Sequence, residues 1–86
     1  MNKYDIHIKN GIELILSKVD EIKLSYLGNL LKKYLIVNSI FFIVKNKRTS
    51  PNSYLKYKHN GLLNFIKLNT GYLIFNKDNH TLIKKN

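Results

Sequence analysis

The sequence predicts an α+β domain in which two N-terminal helices pack on one face of a small mixed or antiparallel sheet. Apolar residues recur at helical spacing in the first half of the chain, and strand-like runs follow from residues 40–45, which are rich in β-branched and aromatic residues. The length of 86 residues and the hydrophobic fraction of 44% suit one domain that spans residues 1–86. The expected order of elements is α-β-α-β-β-β-β.

The first predicted helix covers about residues 3–9, because Tyr4 and Ile8 follow helical spacing. Gly11 either ends this helix or lies within it, so its continuation toward Leu16 stays open. Alternating apolar and charged residues over 19–24 then predict a short strand.

The second predicted helix, over residues 26–37, has the clearest amphipathic pattern in the chain. Its apolar residues recur at positions i, i+3, i+4, i+7 and i+8 from Leu27, with lysines on the other face. Ser25 is a suitable N-cap, and Asn38 is a suitable C-terminal stop.

The second half of the chain predicts strands separated by polar turns. Residues 46–53 form a turn-rich loop in this interpretation, and the last two strands pair as a hairpin across "NKDNH". The predicted strands cover residues 40–45, 54–58, 62–68, 72–75 and 81–83.

The charge distribution is strongly one-sided. The formal net charge is +10, and ten lysines and arginines but no acid lie from Ile22 to Lys77. Such a span predicts contact with a polyanion, most simply a nucleic acid. A solvated basic face or attraction to an acidic membrane surface are the alternatives.

The chemistry of an enzyme is not indicated. The chain has no cysteine, its three histidines lack metal-ligand spacing, and its four glycines are isolated. Asp20 and Glu21 are adjacent on a predicted strand, so they point to opposite faces. We therefore expect no catalysis, no metal, no cofactor and no small-molecule substrate, and we expect structural or surface histidines.

The composition also suggests an origin. The chain lacks Ala, Trp and Gln and is rich in Asn, Lys, Ile, Leu and Tyr, as expected for translation of an AT-rich gene such as an organellar one. Its longest apolar run, "YLIVNSIFFIV", is too short and interrupted to span a bilayer, and no secretory or transit peptide is visible.

The stretch "LKYKHNGLLNFIKLNTGYLIF" resembles the middle of the small-subunit ribosomal protein eight family, which has a Leu-Lys-Tyr strand end followed by an "I..IK.IS.PG.R.Y" run. "IKNG" at residues 8–11 is similar to the "IRNG" of that family, and Asn38-Ser39-Ile40 stands near its "GFI" position. The resemblance covers about residues 8–75. Asn69-Thr70 replaces the usual Ser-Lys-Pro, and the Ser-Thr-x-x-Gly signature is absent.

This resemblance implies a ribosomal, rRNA-binding protein of a mitochondrial or other organellar small subunit. In the family, the C-terminal half makes further rRNA contacts, and neighbouring ribosomal proteins would replace those contacts here. RNA of this kind is recognised mainly through phosphates and 2′-hydroxyls. Tyr57 either stacks on a base or ribose or packs in the core. The expected RNA-binding residues are Lys9, Asn10, Lys32, Lys33, Arg48, Lys56, Tyr57, Lys58, Lys67, Asn69, Thr70, Lys84 and Lys85.

Each group of these residues has an expected role. Lys56, Lys58 and Lys67 would neutralise phosphates, with Lys84 and Lys85 as a basic tail. Short hydrogen bonds would come from a helix end and from a turn, at Lys9, Asn10, Asn69 and Thr70. Longer-range attraction would come from Lys32, Lys33, Lys45, Lys47 and Arg48.

A second resemblance leads to another fold. "KLSYLGNLLKKY" and "HNGLLNFIKLNTGYLIF" are similar to segments of the LOTUS domain, a winged-helix-like module that binds RNA and proteins. The two resemblances differ at residues 61–68, where LOTUS implies a helix and the ribosomal family a strand. A third interpretation is a small interaction protein, such as an antitoxin or phage inhibitor, whose basic character reflects codon bias alone.

Overall fold

The computed structural model describes residues 2–86 and has mixed α+β architecture, as the sequence predicts. Strands β1, β5 and β4 form an antiparallel sheet in that spatial order, and β2 and β3 form a separate antiparallel pair. The elements are α1 (Lys3–Leu16), β1 (Glu21–Lys23), α2 (Leu24–Val37), β2 (Phe42–Val44), β3 (Lys47–Thr49), α3 (Pro51–His59), α4 (Leu62–Asn69), β4 (Leu73–Lys77) and β5 (His80–Lys84).

One hydrophobic core holds these elements together. All four helices contribute buried side chains to it, as do β1, β2 and β5. Helix α1 continues through Gly11 to Leu16, beyond the predicted residues 3–9. Gly11 suits the interior of this helix because α2 packs closely against α1 at that position. A Cβ atom at Gly11 would lie 2.7 Å from side-chain atoms of both Leu31 and Tyr34.

The strand predicted at residues 54–58 is wrong, because this segment belongs to α3. Ser50, in the predicted loop, is the N-cap of this helix and accepts a hydrogen bond from the backbone N–H of Ser53 at 3.1 Å. Pro51 occupies the first turn, where its fixed φ suits a helix. The predicted loop 46–53 also contains β3.

The strand predicted at residues 62–68 is also wrong, because this segment is α4. Phe65 and Ile66 are buried in the core, as helical spacing from Leu62 allows. Asn60, with φ of 59°, and Gly61, with φ of 109°, turn the chain between α3 and α4.

The helix-end predictions for α2 have mixed outcomes. The predicted N-cap Ser25 lies inside the helix, which begins at Leu24, and the preceding Lys23 makes no side-chain cap bond. Asn38 is confirmed as the C-cap, and its Nδ2 donates to the carbonyl oxygen of Tyr34 at 2.7 Å.

The C-terminal hairpin is confirmed, with strands longer than predicted. Ile74 pairs with Ile83, and Asp78 and Asn79 form a two-residue turn with φ of 52° and 64°. Positive φ at both central residues matches the twist of antiparallel strands. Lys45 and Asn46 make the same kind of turn between β2 and β3, at φ of 51° and 64°.

The two longest helices in residues 2–86 have 14 residues each, and none in this part of the chain is long and apolar enough to cross a membrane.

Candidate nucleic-acid interface

The β2–β3 hairpin and α3 together present an exposed basic and aromatic surface. Ile43 pairs with Arg48, so the two side chains share a face of the hairpin, while Phe42 between the exposed residues is buried. We name this the hairpin–α3 surface and define it by Phe41, Ile43, Lys45, Arg48 and Tyr57.

Each of the two cations on this surface lies over an exposed aromatic ring. The guanidinium carbon of Arg48 is 3.6 Å from the ring centroid of Phe41, and Nζ of Lys45 is 5.5 Å from that of Tyr57. Both distances are within cation–π range. Phe41 is 52% exposed and Tyr57 is 60% exposed, so Tyr57 does not pack in the core.

Aromatic packing fixes the hairpin against α1 and α3. The rings of Tyr4, Phe42 and Tyr54 lie within 5.3 Å of one another, centroid to centroid. The backbone N–H of Ile43 also donates to the hydroxyl of Tyr4 at 3.3 Å. The inner face of the hairpin therefore packs against α1 and α3.

A buried polar network fixes α3 against the start of α1. Asp5 is 6% exposed, and its Oδ1 accepts from the hydroxyl of Tyr54 at 2.9 Å and lies 2.8 Å from Nε2 of His59. Asn2, the N-cap of α1, accepts from the backbone N–H of Asp5 and also donates to Tyr54. Because Asp5 has these partners, its burial leaves no polar atom unsatisfied. Burial raises the pKa of the Tyr54 phenol.

The lysine and arginine side chains of residues 2–86 form no salt bridges. Within residues 2–86, the contact between His59 and Asp5 is the one contact of 4.0 Å or less between a basic and an acidic side chain. No lysine and no arginine in this range lies that close to a carboxylate. The positive charge of the hairpin–α3 surface is therefore available to an anionic partner.

Some of the predicted RNA-binding residues meet at or beside this surface. Arg48 and Tyr57 belong to it, and Lys56 and Lys58 are exposed neighbours of Tyr57 on α3. Lys67 is exposed on α4, the helix that follows α3.

A second group lies around the end of α4. Lys9, within α1 rather than at a helix end, lines a small groove with Asn69 and Thr70, and Asn10 is exposed on α1 nearby in sequence. Nδ2 of Asn69 donates to the carbonyl oxygen of Phe65 at 3.0 Å. The hydroxyl of Thr70 likewise donates to a helix carbonyl, at 2.7 Å. These side chains cap α4.

The remaining candidates are dispersed. Lys32 and Lys33 are exposed on α2. Lys84 pairs with Glu21 across the sheet, and Lys85 lines a cleft that also contains Asp20 and Glu21. Acids therefore line the same cleft as this C-terminal pair.

Phe41 and Ile43 are the residues of the surface that were not expected to contact RNA. The alternation over residues 40–45 could have revealed them, because Phe41 and Ile43 fall on one face of a strand and Phe42 on the other. Lys45 was expected only to attract RNA at long range, whereas it contacts Tyr57.

No protein-family model, no curated protein and no solved structure matches this chain. Residues 2–86 contain no group of three or more His, Asp or Glu side chains placed to hold a metal ion.

Proposed function

We propose that this protein binds RNA through the hairpin–α3 surface and that it prefers unpaired segments. The observation that carries the proposal is the pairing of exposed aromatic rings with unneutralised cations, at Phe41 with Arg48 and at Tyr57 with Lys45. Unpaired bases stack on aromatic rings and on guanidinium planes, and lysines neutralise the adjoining phosphates. Lys56 and Lys58 would extend the phosphate contacts along α3.

The topology supports this class of function. Helix α1, strand β1, helix α2, helix α4 and the closing hairpin occur in an order similar to that of winged-helix modules, with β5 between β1 and β4. The β2–β3 hairpin is an addition between α2 and the later helices. The helix at residues 62–69 agrees with the LOTUS resemblance, whereas the ribosomal resemblance implies a strand there.

A structural role on small-subunit rRNA, in a mitochondrial or other organellar ribosome, is the more specific alternative. The AT-rich composition and the net charge of +10 support it. Neighbouring ribosomal proteins would then be partners. This alternative requires a preference for a folded rRNA fragment over an unstructured strand.

The test is fluorescence anisotropy with a labelled, unstructured RNA of about 12 nucleotides, which is within the range one small binding surface covers. Tyr57→Ala should raise Kd by about fivefold to 150-fold, because stacking of one base contributes about 1–3 kcal/mol. Lys45→Ala should reduce the slope of log affinity against log salt by about one phosphate contact.

The matched controls remove the same side-chain types elsewhere. Tyr26→Ala and Lys18→Ala alter exposed residues outside the hairpin–α3 surface and should leave Kd within about twofold. Equal losses for Tyr57→Ala and Tyr26→Ala would show that the charge of the whole protein, not this surface, attracts RNA. The Kd values for DNA of the same sequence and for a folded rRNA fragment, compared with that for the unstructured RNA, distinguish a general single-strand binder from a ribosomal protein.

A further inference from the structure

A large apolar groove lies on another part of the molecule, between the end of α1, strand β1 and the outward side of α2. Its volume is about 1170 Å³. None of its lining residues belongs to the hairpin–α3 surface. Its apolar walls include Leu14, Val19, Tyr26, Leu30, Val37 and Leu82.

One face of α2 forms a wall of the groove. Tyr26, Leu30 and Val37 recur at i, i+4 and i+11, so they lie along one side of the helix. At 1.5 Å rise per residue, the distance from Tyr26 to Val37 is about 16 Å, or about three helical turns. Val37 is 80% exposed, and Tyr26, Val19 and Leu14 on the same groove are also exposed. Contiguous exposed apolar patches of this kind are typical of interaction sites.

The charges around the groove are mainly positive. Lys18, Lys23 and Lys33 line it, and Glu21 is the single acid among its lining residues. None of the three lysines has a carboxylate within 4.0 Å among residues 2–86. An occupant with an apolar face and acidic edges would fit both the walls and the rim.

We propose that the groove docks an amphipathic helix of a partner protein, with an apolar stripe flanked by Asp and Glu. Helix-in-groove recognition uses apolar anchors at i, i+3, i+4 and i+7, and a length of three turns presents such a set. A second copy of the chain is disfavoured because each carries a net charge of +10. Nucleic acid is disfavoured because the walls are apolar.

The experiment uses a designed peptide of about 18 residues with leucines at helical spacing and glutamates along both sides. Its Kd for the full chain is measured by fluorescence anisotropy, beside a scrambled peptide of identical composition. The designed peptide should bind at least about tenfold more tightly than the scrambled one, because only its helix presents all leucines on one face. Tyr57→Ala should not change its Kd, which separates this site from the RNA site.

Two adjacent pairs on α2 supply matched variants. Val37 lines the groove and Ile36, 58% exposed, does not, so Val37→Asp should raise Kd at least about tenfold and Ile36→Asp less than about twofold. Lys33 lines the groove and Lys32 does not, so Lys33→Glu should weaken binding about threefold to tenfold more than Lys32→Glu.

Three results would overturn the proposal. The first is equal affinity for the designed and scrambled peptides, which would show that charge alone attracts them. The second is an equal effect of Ile36→Asp and Val37→Asp, which would show that the groove is not the site. The third is a dimer in sedimentation that Val37→Asp dissociates, which would show that a second copy of the chain covers the groove.

Discussion

Alanine substitutions of two helical glycines should change stability in opposite directions. In Gly11→Ala the new Cβ atom would lie 2.7 Å from side-chain carbons of Leu31 and Tyr34, closer than van der Waals contact allows. Leu31 is buried, so relief requires the packed side chains of Leu31 and Tyr34 to move. In Gly28→Ala the nearest atom, on Leu62, is 3.7 Å away, which is ordinary contact.

The magnitudes follow from two opposing effects. Replacing a helical glycine by alanine stabilises by up to about 1 kcal/mol, and overpacking costs about 1–3 kcal/mol. Gly11→Ala should therefore lower the free energy of unfolding by about 1–2 kcal/mol, and Gly28→Ala should raise it by about 0.5–1 kcal/mol. For a domain of this size, the expected shifts in Tm are roughly −4 to −16 °C and +2 to +8 °C.

Thermal and urea unfolding followed by circular dichroism at 222 nm, for both variants and the parent protein, measure these changes. Helix propensity alone would give a gain in both variants, so the difference in sign isolates the close approach of α1 and α2. A Tm for Gly11→Ala above that of the parent protein would refute the packing described for Gly11.

Two further predictions concern helix α3. Tyr54→Phe removes the hydroxyl that donates to buried Asp5, so the free energy of unfolding at pH 7 should fall by about 1–3 kcal/mol. Burial raises the pKa of Tyr54 above its ordinary 10.0. The parent protein should therefore lose stability as pH rises from about 10 through the higher pKa of the folded state. Urea unfolding over the same pH range should show a smaller loss for Tyr54→Phe, which has no phenol to titrate. Ser50→Ala removes the α3 cap and should lower the free energy of unfolding by about 0.5–2 kcal/mol. Ser25→Ala changes a residue inside α2 and should be neutral or slightly stabilising. A larger loss of stability for Ser25→Ala than for Ser50→Ala would show that Ser25 caps α2.

The elements that the sequence predicts well are those with an unambiguous period. Helix α2 repeats its apolar residues over three turns, and the closing hairpin has alternating strands around a polar turn. The segment at 62–68 is nearly continuous in apolar residues, so its pattern fits a strand and a short helix equally. This segment is a helix that buries the adjacent residues Phe65 and Ile66 in the shared core. Because that burial depends on tertiary contacts, the local pattern could not predict the helix.

Helix α3 was missed for a different reason, because its start signal was present in the sequence. Ser50-Pro51 is an N-cap followed by a proline suited to the first turn, yet Pro and Asn also suit a loop. The alternation of Tyr, Lys and Leu then favoured a strand at residues 54–58. Tyr54 and His59 on α3 contact Asp5 in α1, about 50 residues earlier in the sequence, and a local pattern cannot reveal that contact.

The candidate site was only partly predictable for the same reason. The acid-free span and the choice of Tyr57 followed from the sequence, because composition and residue type are local properties. The pairs that define the surface depend on the hairpin register and on the docking of the hairpin tip against α3. Lys45 reaches Tyr57 only because the chain folds back between them.

One turn of α1 supports both halves of the hairpin–α3 surface. Tyr4 accepts a hydrogen bond from the hairpin at Ile43, and Asp5 contacts α3 at Tyr54 and His59, on either side of Tyr57 along the chain. These contacts hold the hairpin and α3 in place without a ligand, so binding does not have to order the two elements and costs less conformational entropy. Asp5 also turns its carboxylate into the core, so the acid that helps to position this basic surface does not face an approaching phosphate.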